Sequence, residues 1–199
     1  MKNYDIERIL WPAFKLFLMY NYEGVSTAKL EEATGLTRGA IFFKHKTKEA
    51  LFKAVIDKYV FDLKLGSLDI NDAHSLKEFI DKFLDGVEER MNSMKSIIDI
   101  PDMHGGYFNL LYQAAKFYPE FGIKITEMFS AGIKIWEDII QKAKDSGEIK
   151  PSCDVHKTAL QFRYIYTGMS FEDSLYKGLN VDLLRDLYYS IYKGLENVK

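Results

Sequence analysis

The sequence predicts an all-α protein in which an N-terminal three-helix domain carrying a helix-turn-helix precedes a larger helical domain, about nine helices in all. Three observations lead there. Apolar residues recur at spacings of three and four along most of the chain, and the alternating runs expected of half-buried strands are few. Only four prolines interrupt the 199 residues. Hydrophobic residues make up 47%, enough to bury a sizeable core and too many for a disordered chain.

The helices can be placed in order. Ile6, Ile9, Leu10, Ala13, Phe14 and Phe17 form one stripe of the first, which ends near Tyr22, Glu23 and Gly24. Pro12 lies inside it, removes one backbone hydrogen bond and is expected to kink it. Two short helices follow, over about 27–34 and 37–44. A fourth starts after Thr47, an N-cap residue with Glu49 well placed in the first turn. It turns Leu51, Phe52, Val55, Ile56 and Tyr59 inward and stops near Gly66. The polar stretch 67–73 is a linker. Ser75 and Glu78 make a capping box for a helix running to about Met94. Residues 97–106 are irregular, with Pro101 and the pair Gly105 and Gly106, before a sixth helix at 107–117. Pro119 suits the first turn of a seventh, which repeats Met128, Phe129, Gly132, Ile133, Trp136, Ile139, Ile140 and Ala143 and ends at Gly147. After Pro151 come helices at 155–177 and 181–197, the last capped by Asn180. There is no internal repeat.

Charge narrows the function through its distribution, since the net value is only -2. Residues 1–65 carry eleven Lys and Arg against eight Asp and Glu, and the remainder is acidic. Arg38, Lys44, Lys46 and Lys48 lie within 36–48 with no acid among them, which fits either a surface that meets phosphate or a solvated helix face. The single Cys153 forms no intrachain disulfide, so no oxidising compartment is implied. The apolar stretch 9–20 is broken by Pro12 and Lys15, so no secretory signal is expected, and nothing approaches the ~20 apolar residues of a membrane span. A soluble, cytoplasmic protein with no membrane partner is the expectation.

Enzyme chemistry finds little support. HExxH, paired cysteines, GxSxG and phosphate-loop patterns are all missing. Asp99, Asp102 and His104 are the one compact carboxylate–histidine cluster, and they sit beside Pro101 and Gly105, where polar loop residues are ordinary. No catalytic residue, metal or cofactor is expected.

The informative stretch is 25–52, VSTAKLEEATGLTRGAIFFKHKTKEALF. Two short helices around a Gly-containing turn are the sequence form of a helix-turn-helix. Gly35 falls where the first must end in a left-handed residue. Leu30, Ala33, Leu36, Ala40 and Ile41 would fill the small core between the two helices. Thr37 would cap the second, leaving Arg38 at its leading end, the end that enters the major groove in this motif.

This run resembles the DNA-binding domain of the tetracycline-repressor (TetR) family. The matching residues are Phe17, Tyr22, Gly24, Ser26, Ala33, Gly35, Leu36, Thr37, Arg38, Gly39, Ala40, Ile41, Lys48, Glu49, Leu51 and Phe52. Beyond residue 66 the likeness is architectural, apart from Gly168 and the closing stripe ending in Gly194 and Leu195. Four positions depart from the pattern. Glu31 replaces a small residue and must lie at the helix surface, Phe42 replaces a tyrosine, His45 stands where a core Phe is usual, and Pro12 interrupts the first helix.

The resemblance implies a DNA-binding domain over 1–48 and an effector-binding and dimerisation domain over 49–199. It implies a transcriptional regulator, a repressor, that binds a palindromic operator in double-stranded DNA as a homodimer and is released by a small-molecule effector. An alternative is a helical protein-interaction module, or a regulator without an effector. Ser26, Thr27, Thr37, Phe42, Lys44 and Lys48 would lie along the phosphates. Arg38 would read a guanine edge or hold another phosphate. Gly39 lets the helix approach the groove closely, and Phe43 meets a thymine methyl or sugar, or else is simply exposed.

On the last two helices, Leu183, Leu184, Leu187, Tyr188, Ile191, Tyr192 and Leu195 form a stripe wider than one neighbour needs. Paired two-fold with Phe162, Ile165 and Gly168, it would build a four-helix bundle; the alternative is that it packs within one subunit. The family likeness also implies a pocket among Tyr107, Phe108, Leu111, Tyr112, Trp136, Phe162, Tyr166 and Met169, residues that helical spacing alone would place in the core. Tyr112 and Tyr166 could orient a ligand through their hydroxyls, and an aromatic lining favours a flat or lipophilic effector. By the same likeness the fourth helix carries the effector signal to the DNA, with Gly66 and the linker accommodating the movement.

Overall fold

The computed structural model describes residues 4–62, 73–97 and 103–197. Gly66 and most of the linker lie outside these residues, as do Asp99, Asp102 and the side chains of Ile6 and His104. Among the described residues there are nine α-helices and no strand: α1 (Tyr4–Met19), α2 (Thr27–Thr34), α3 (Arg38–Lys44), α4 (Lys48–Ile56), α5 (Leu76–Ile97), α6 (Met103–Phe117), α7 (Phe121–Asp145), α8 (Val155–Ser174) and α9 (Val181–Leu195). A 3-10 turn (Tyr22–Gly24) joins α1 to α2, and a π-helical turn (Asp57–Phe61) extends α4. The chain is all-α, as its periodicity requires. It divides into two units, one within residues 1–64 and 100–125, the other within 65–99 and 126–199.

In the first unit α1 packs against α2, α4 and α6. Ile9, Leu10, Ala13, Phe14 and Phe17 are all buried, so the predicted stripe is the one that faces inward. Aromatic rings make much of this core. Phe52 meets Phe17 and Tyr22 edge-on at 4.8 and 5.0 Å, and Tyr22 stacks on Phe117 at 4.3 Å. α1 stays one helix through Pro12. α6 begins at Met103, so Gly105 and Gly106 are helical rather than irregular. The reason is packing: a Cβ on Gly106 would stand 3.2 Å from the backbone carbonyl oxygen of Leu18, so a missing side chain lets α6 approach α1 closely. The π turn after α4 sets Tyr59 and Val60 in the core together, and Asp57 at its start accepts from the Tyr118 hydroxyl at 2.8 Å and the Lys124 ammonium at 2.6 Å.

The second unit buries one face of each of its helices. Phe79, Ile80 and Leu84 of α5 meet Trp136, Ile139 and Ile140 of α7, with Phe162 of α8 and Leu184 and Tyr188 of α9. Trp136 stacks on Phe162 at 4.6 Å, and Phe79 and Tyr188 meet Trp136 edge-on. The helix ends are closed by side chains, each worth about 1 kcal/mol. Ser75 accepts from the backbone N–H of Glu78, whose carboxylate accepts from that of His74, a reciprocal cap close to the predicted box. Asp154 and Asn180 cap α8 and α9. Glu148 accepts from the N–H groups of Leu76 and Lys77 at the start of α5 and from the Tyr192 hydroxyl of α9. Burial, and then the Glu148 charge, pushes that hydroxyl up to about 12.

Candidate nucleic-acid interface and ligand cavity

The geometry of α2 and α3 is set by short-range chemistry. Ser26 caps α2, its hydroxyl accepting from Lys29 N–H at 3.3 Å. Gly35 ends α2 at φ +65°, a conformation that an L side chain would strain. Thr37 caps α3 by accepting from Ala40 N–H. Glu31, the anomalous acid, accepts the backbone N–H of Arg38 at 2.6 Å and so bonds α2 to the first turn of α3. A carboxylate is favourable at that positive helix end. Leu30 and Ile41 are fully buried between the helices and Leu36 is half-buried, but Ala33 and Ala40 are exposed. Thr34 takes the inward place instead, one turn after Leu30, with its hydroxyl bonded to the Leu30 carbonyl at 2.7 Å.

The leading end of α3 is open. Arg38, Gly39, Ala40, Phe43 and Lys44 are exposed, Phe43 to 68%, and the Lys46 ammonium lies 5.2 Å from the Phe43 ring centre. Phe42 and Thr27 are half-buried beside them. The Ser26 and Thr37 hydroxyls serve as acceptors in their caps, which leaves each O–H free to donate. Lys48 is placed differently. Its ammonium donates to the carbonyls of Tyr22 at 2.9 Å and Val25 at 3.1 Å and sits 4.4 Å from the Tyr22 ring centre. Two of its three N–H groups therefore fasten the turn that leads into α2. His45 is half-buried with Nε2 enclosed and unbonded, and burial followed by the Lys44 charge holds its pKa below the ordinary histidine value.

In the second unit α5, α7, α8 and α9 line a cavity that is partly open to solvent. Its walls are aromatic: Phe79, Phe83, Trp136, Tyr166 and Tyr188. Met128 and Ile135 add apolar surface, Gly132 leaves room, and the guanidinium side chains of Arg90 and Arg163 bring charge. Of the residues expected around a ligand, Trp136 and Tyr166 line this cavity. Phe162 lies fully buried behind Trp136, and Met169 packs on the core. Tyr107, Phe108, Leu111 and Tyr112 are on α6 in the first unit, where Tyr112 is 67% exposed and Tyr107 and Phe108 meet edge-on at 6.0 Å.

Comparison with known proteins covers residues of both units. Residues 9–55 match the model of the bacterial regulatory proteins, tetR family. ComR, an HTH-type transcriptional repressor of Escherichia coli, is 27% identical over 175 residues, covering 85% of this chain and 79% of ComR. AcnR, an HTH-type transcriptional repressor of Corynebacterium efficiens, is 47% identical over 49 residues, 25% of this chain and 26% of AcnR. The solved TetR-family regulator of Cytophaga hutchinsonii shares the fold across 98% of this chain and 96% of its own, with TM-score 0.72 and 22% identity. Residues 9–55 are therefore similar to the DNA-binding segment of the tetR family, and the fold is shared along the rest of the chain. ComR and AcnR are both named as HTH-type transcriptional repressors, and the stretch of this chain that the family model matches holds its helix-turn-helix.

In the second unit the stripe expected at a dimer interface divides in two. Phe162, Leu184, Tyr188 and Tyr192 are buried in their own subunit. Ile165, Ile191 and Leu195 pack partly against the core, whereas Gly168, Leu183 and Leu187 are exposed. Tyr164 and Phe171 join Gly168 at spacings of three and four along one exposed face of α8, and exposed Leu175 follows at the C-cap. The sequence reading passed over that face, although its spacing was legible. It also passed over Arg90, Arg163, Phe79 and Phe83, whose spacing marks a helix face without saying that four helices converge on it.

Proposed function

We propose that this regulator represses transcription by binding a palindromic operator as a homodimer, and that a small lipophilic or aromatic molecule in the second unit's cavity releases it. The observation that carries the reading is the open leading end of α3, where Arg38, Gly39, Phe43 and Lys44 are all accessible. Arg38 takes the base-reading role, since a guanidinium can bond both acceptors of a guanine edge. Ser26, Thr27, Thr37, Phe42 and Lys44 lie along the phosphates. Lys48 acts chiefly through the turn it fastens, with one N–H left for a phosphate. Residues 1–48 thus carry DNA recognition and 49–199 the effector and dimer functions. DNA as the target places the protein in the cytoplasm, and no described helix is long and apolar enough to cross a membrane.

One seven-residue helix covers only a few base pairs, so the reading calls for two copies and half-sites about one DNA turn, ~34 Å, or a small multiple apart. The exposed faces of α8 (Tyr164, Gly168, Phe171) and α9 (Leu183, Leu187) support a two-fold four-helix contact, because contiguous apolar surface of that kind marks an interface. Selection of binding sites from random duplex DNA tests the function. An imperfect palindrome should emerge, and Arg38→Ala should weaken and relax it at one base position in each half-site. Enrichment of no sequence would overturn the proposal.

A further inference from the structure

We infer that the effector is an organic anion, a flat or acyl apolar body bearing a carboxylate that Arg90 and Arg163 hold. The inference rests on the reading of the cavity as the effector site and adds the ligand's charge. Among the described residues two guanidinium groups line the cavity and no carboxylate does. Neither guanidinium has an ion pair or hydrogen bond among the described residues. Arg185 in the same unit, by contrast, is held by Asp81 at 3.5 Å and Asp85 at 3.2 Å. Arginine cannot shed its proton to escape this situation, and two like charges around one partly apolar cavity raise each other's energy. An entering carboxylate removes that cost and offers the planar acceptor pair that a guanidinium fork fits.

The surroundings aim both side chains at the cavity. On α5, Phe79, Phe83, Gly86 and Arg90 follow one another at spacings of four, three and four, so they share a face. A Cβ on Gly86 would stand 3.6 Å from Arg90 Nη1, so the guanidinium folds back over the glycine beside the two rings. On α8, Arg163 lies with its guanidinium carbon 4.8 Å from the centre of the Phe129 ring, one turn before Tyr166. The Tyr188 hydroxyl is committed to the Phe162 carbonyl at 2.7 Å, so polar recognition falls to the two arginines and Tyr166. The five aromatic walls then fit the apolar body. On α7, a Cβ at Gly132 would meet nothing within 4 Å, which is open space at the cavity wall.

Calorimetric titration of the full-length protein with matched pairs tests this: cinnamate, 2-naphthoate and decanoate, each beside its uncharged amide. At least one carboxylate should bind about tenfold or more tightly than its amide, the equivalent of one hydrogen bond to a charged group. In Arg90→Gln and Arg163→Gln that preference should fall toward unity, because the carboxylate loses more affinity than its amide. Gly132→Leu, which enters open space, should weaken both members of a pair. Amides binding as tightly as carboxylates would overturn the anion inference and leave the effector site standing. Binding by neither member of any pair would overturn the effector site as well.

Discussion

Replacing Lys48 by Met separates a structural lysine from a phosphate-binding one. Met keeps the stem that covers the Tyr22 ring but deletes the ammonium, which donates to two carbonyls at 2.9 and 3.1 Å. A hydrogen bond to a charged group is worth about 1.5–3 kcal/mol. Because these two share one half-buried ammonium, a combined loss of about 2–3 kcal/mol is expected, and the carbonyl of fully buried Val25 forfeits a partner. With a urea m-value of about 1–3 kcal/mol per molar, the midpoint should fall by about 1–2 M at fixed protein concentration. Lys44→Met, at an exposed position, should stay within about 0.5 kcal/mol of the parent. On DNA the order reverses. Lys44→Met should reduce the log–log salt slope by about 2 per dimer, since each phosphate contributes about 0.9, whereas Lys48→Met should weaken binding with a smaller change of slope. Parental stability for Lys48→Met, together with a slope loss equal to that of Lys44→Met, would show that the ammonium works on phosphate and that the turn holds without it.

Other parts of the structure make sharp demands of their own. His45 is held below its ordinary pKa by burial and by Lys44, so the folded state binds fewer protons there than the unfolded one. Its contribution is complete above about pH 6.5 and is lost as pH falls through the folded value. His45→Phe should therefore flatten the decline in melting temperature between pH 7.5 and 5.5, and an unchanged decline would assign it to other groups. Gly106→Val should destabilise by about 1–3 kcal/mol, because its Cβ meets the Leu18 carbonyl oxygen at 3.2 Å; a neutral result in urea would mean that α1 and α6 yield easily. Glu148→Ala should cost about 2–4 kcal/mol, with Glu148→Gln losing less, because one carboxylate accepts two α5 N–H groups and the Tyr192 hydroxyl. Equal midpoints for the two variants would show that charge and hydrogen bonding at this site contribute little.

Local signals were the legible ones. Ser26, Thr37, Thr47 and Asn180 cap the helices that follow them, and Gly35 turns left-handed after α2, because each needs only a few neighbouring residues to act. Long-range consequences were not legible. The pair at Gly105 and Gly106 resembles a break until α1 supplies the close neighbour that makes it a contact point. Lys48 resembles a phosphate ligand until the chain returns the carbonyls of Tyr22 and Val25 to it, twenty-six and twenty-three residues away. Glu31 was visible as an anomaly, but its bond to Arg38 N–H depends on the angle between α2 and α3. In the candidate ligand site, aromatic spacing on single helices suited core and cavity equally. Trp136 and Phe162 are stacked neighbours, yet only Trp136 reaches the cavity.

The central claim is that two copies of α3 seat their leading ends on one duplex. Fluorescence anisotropy of a selected duplex, titrated with protein over a range of salt concentrations, tests it most directly. Two protein chains per duplex, a log–log slope of about -5 to -7 from six to eight phosphate contacts, and a marked loss of affinity in Arg38→Ala are the predicted result. One chain per duplex with about half that slope, or an Arg38→Ala protein that binds as the parent does, would contradict it.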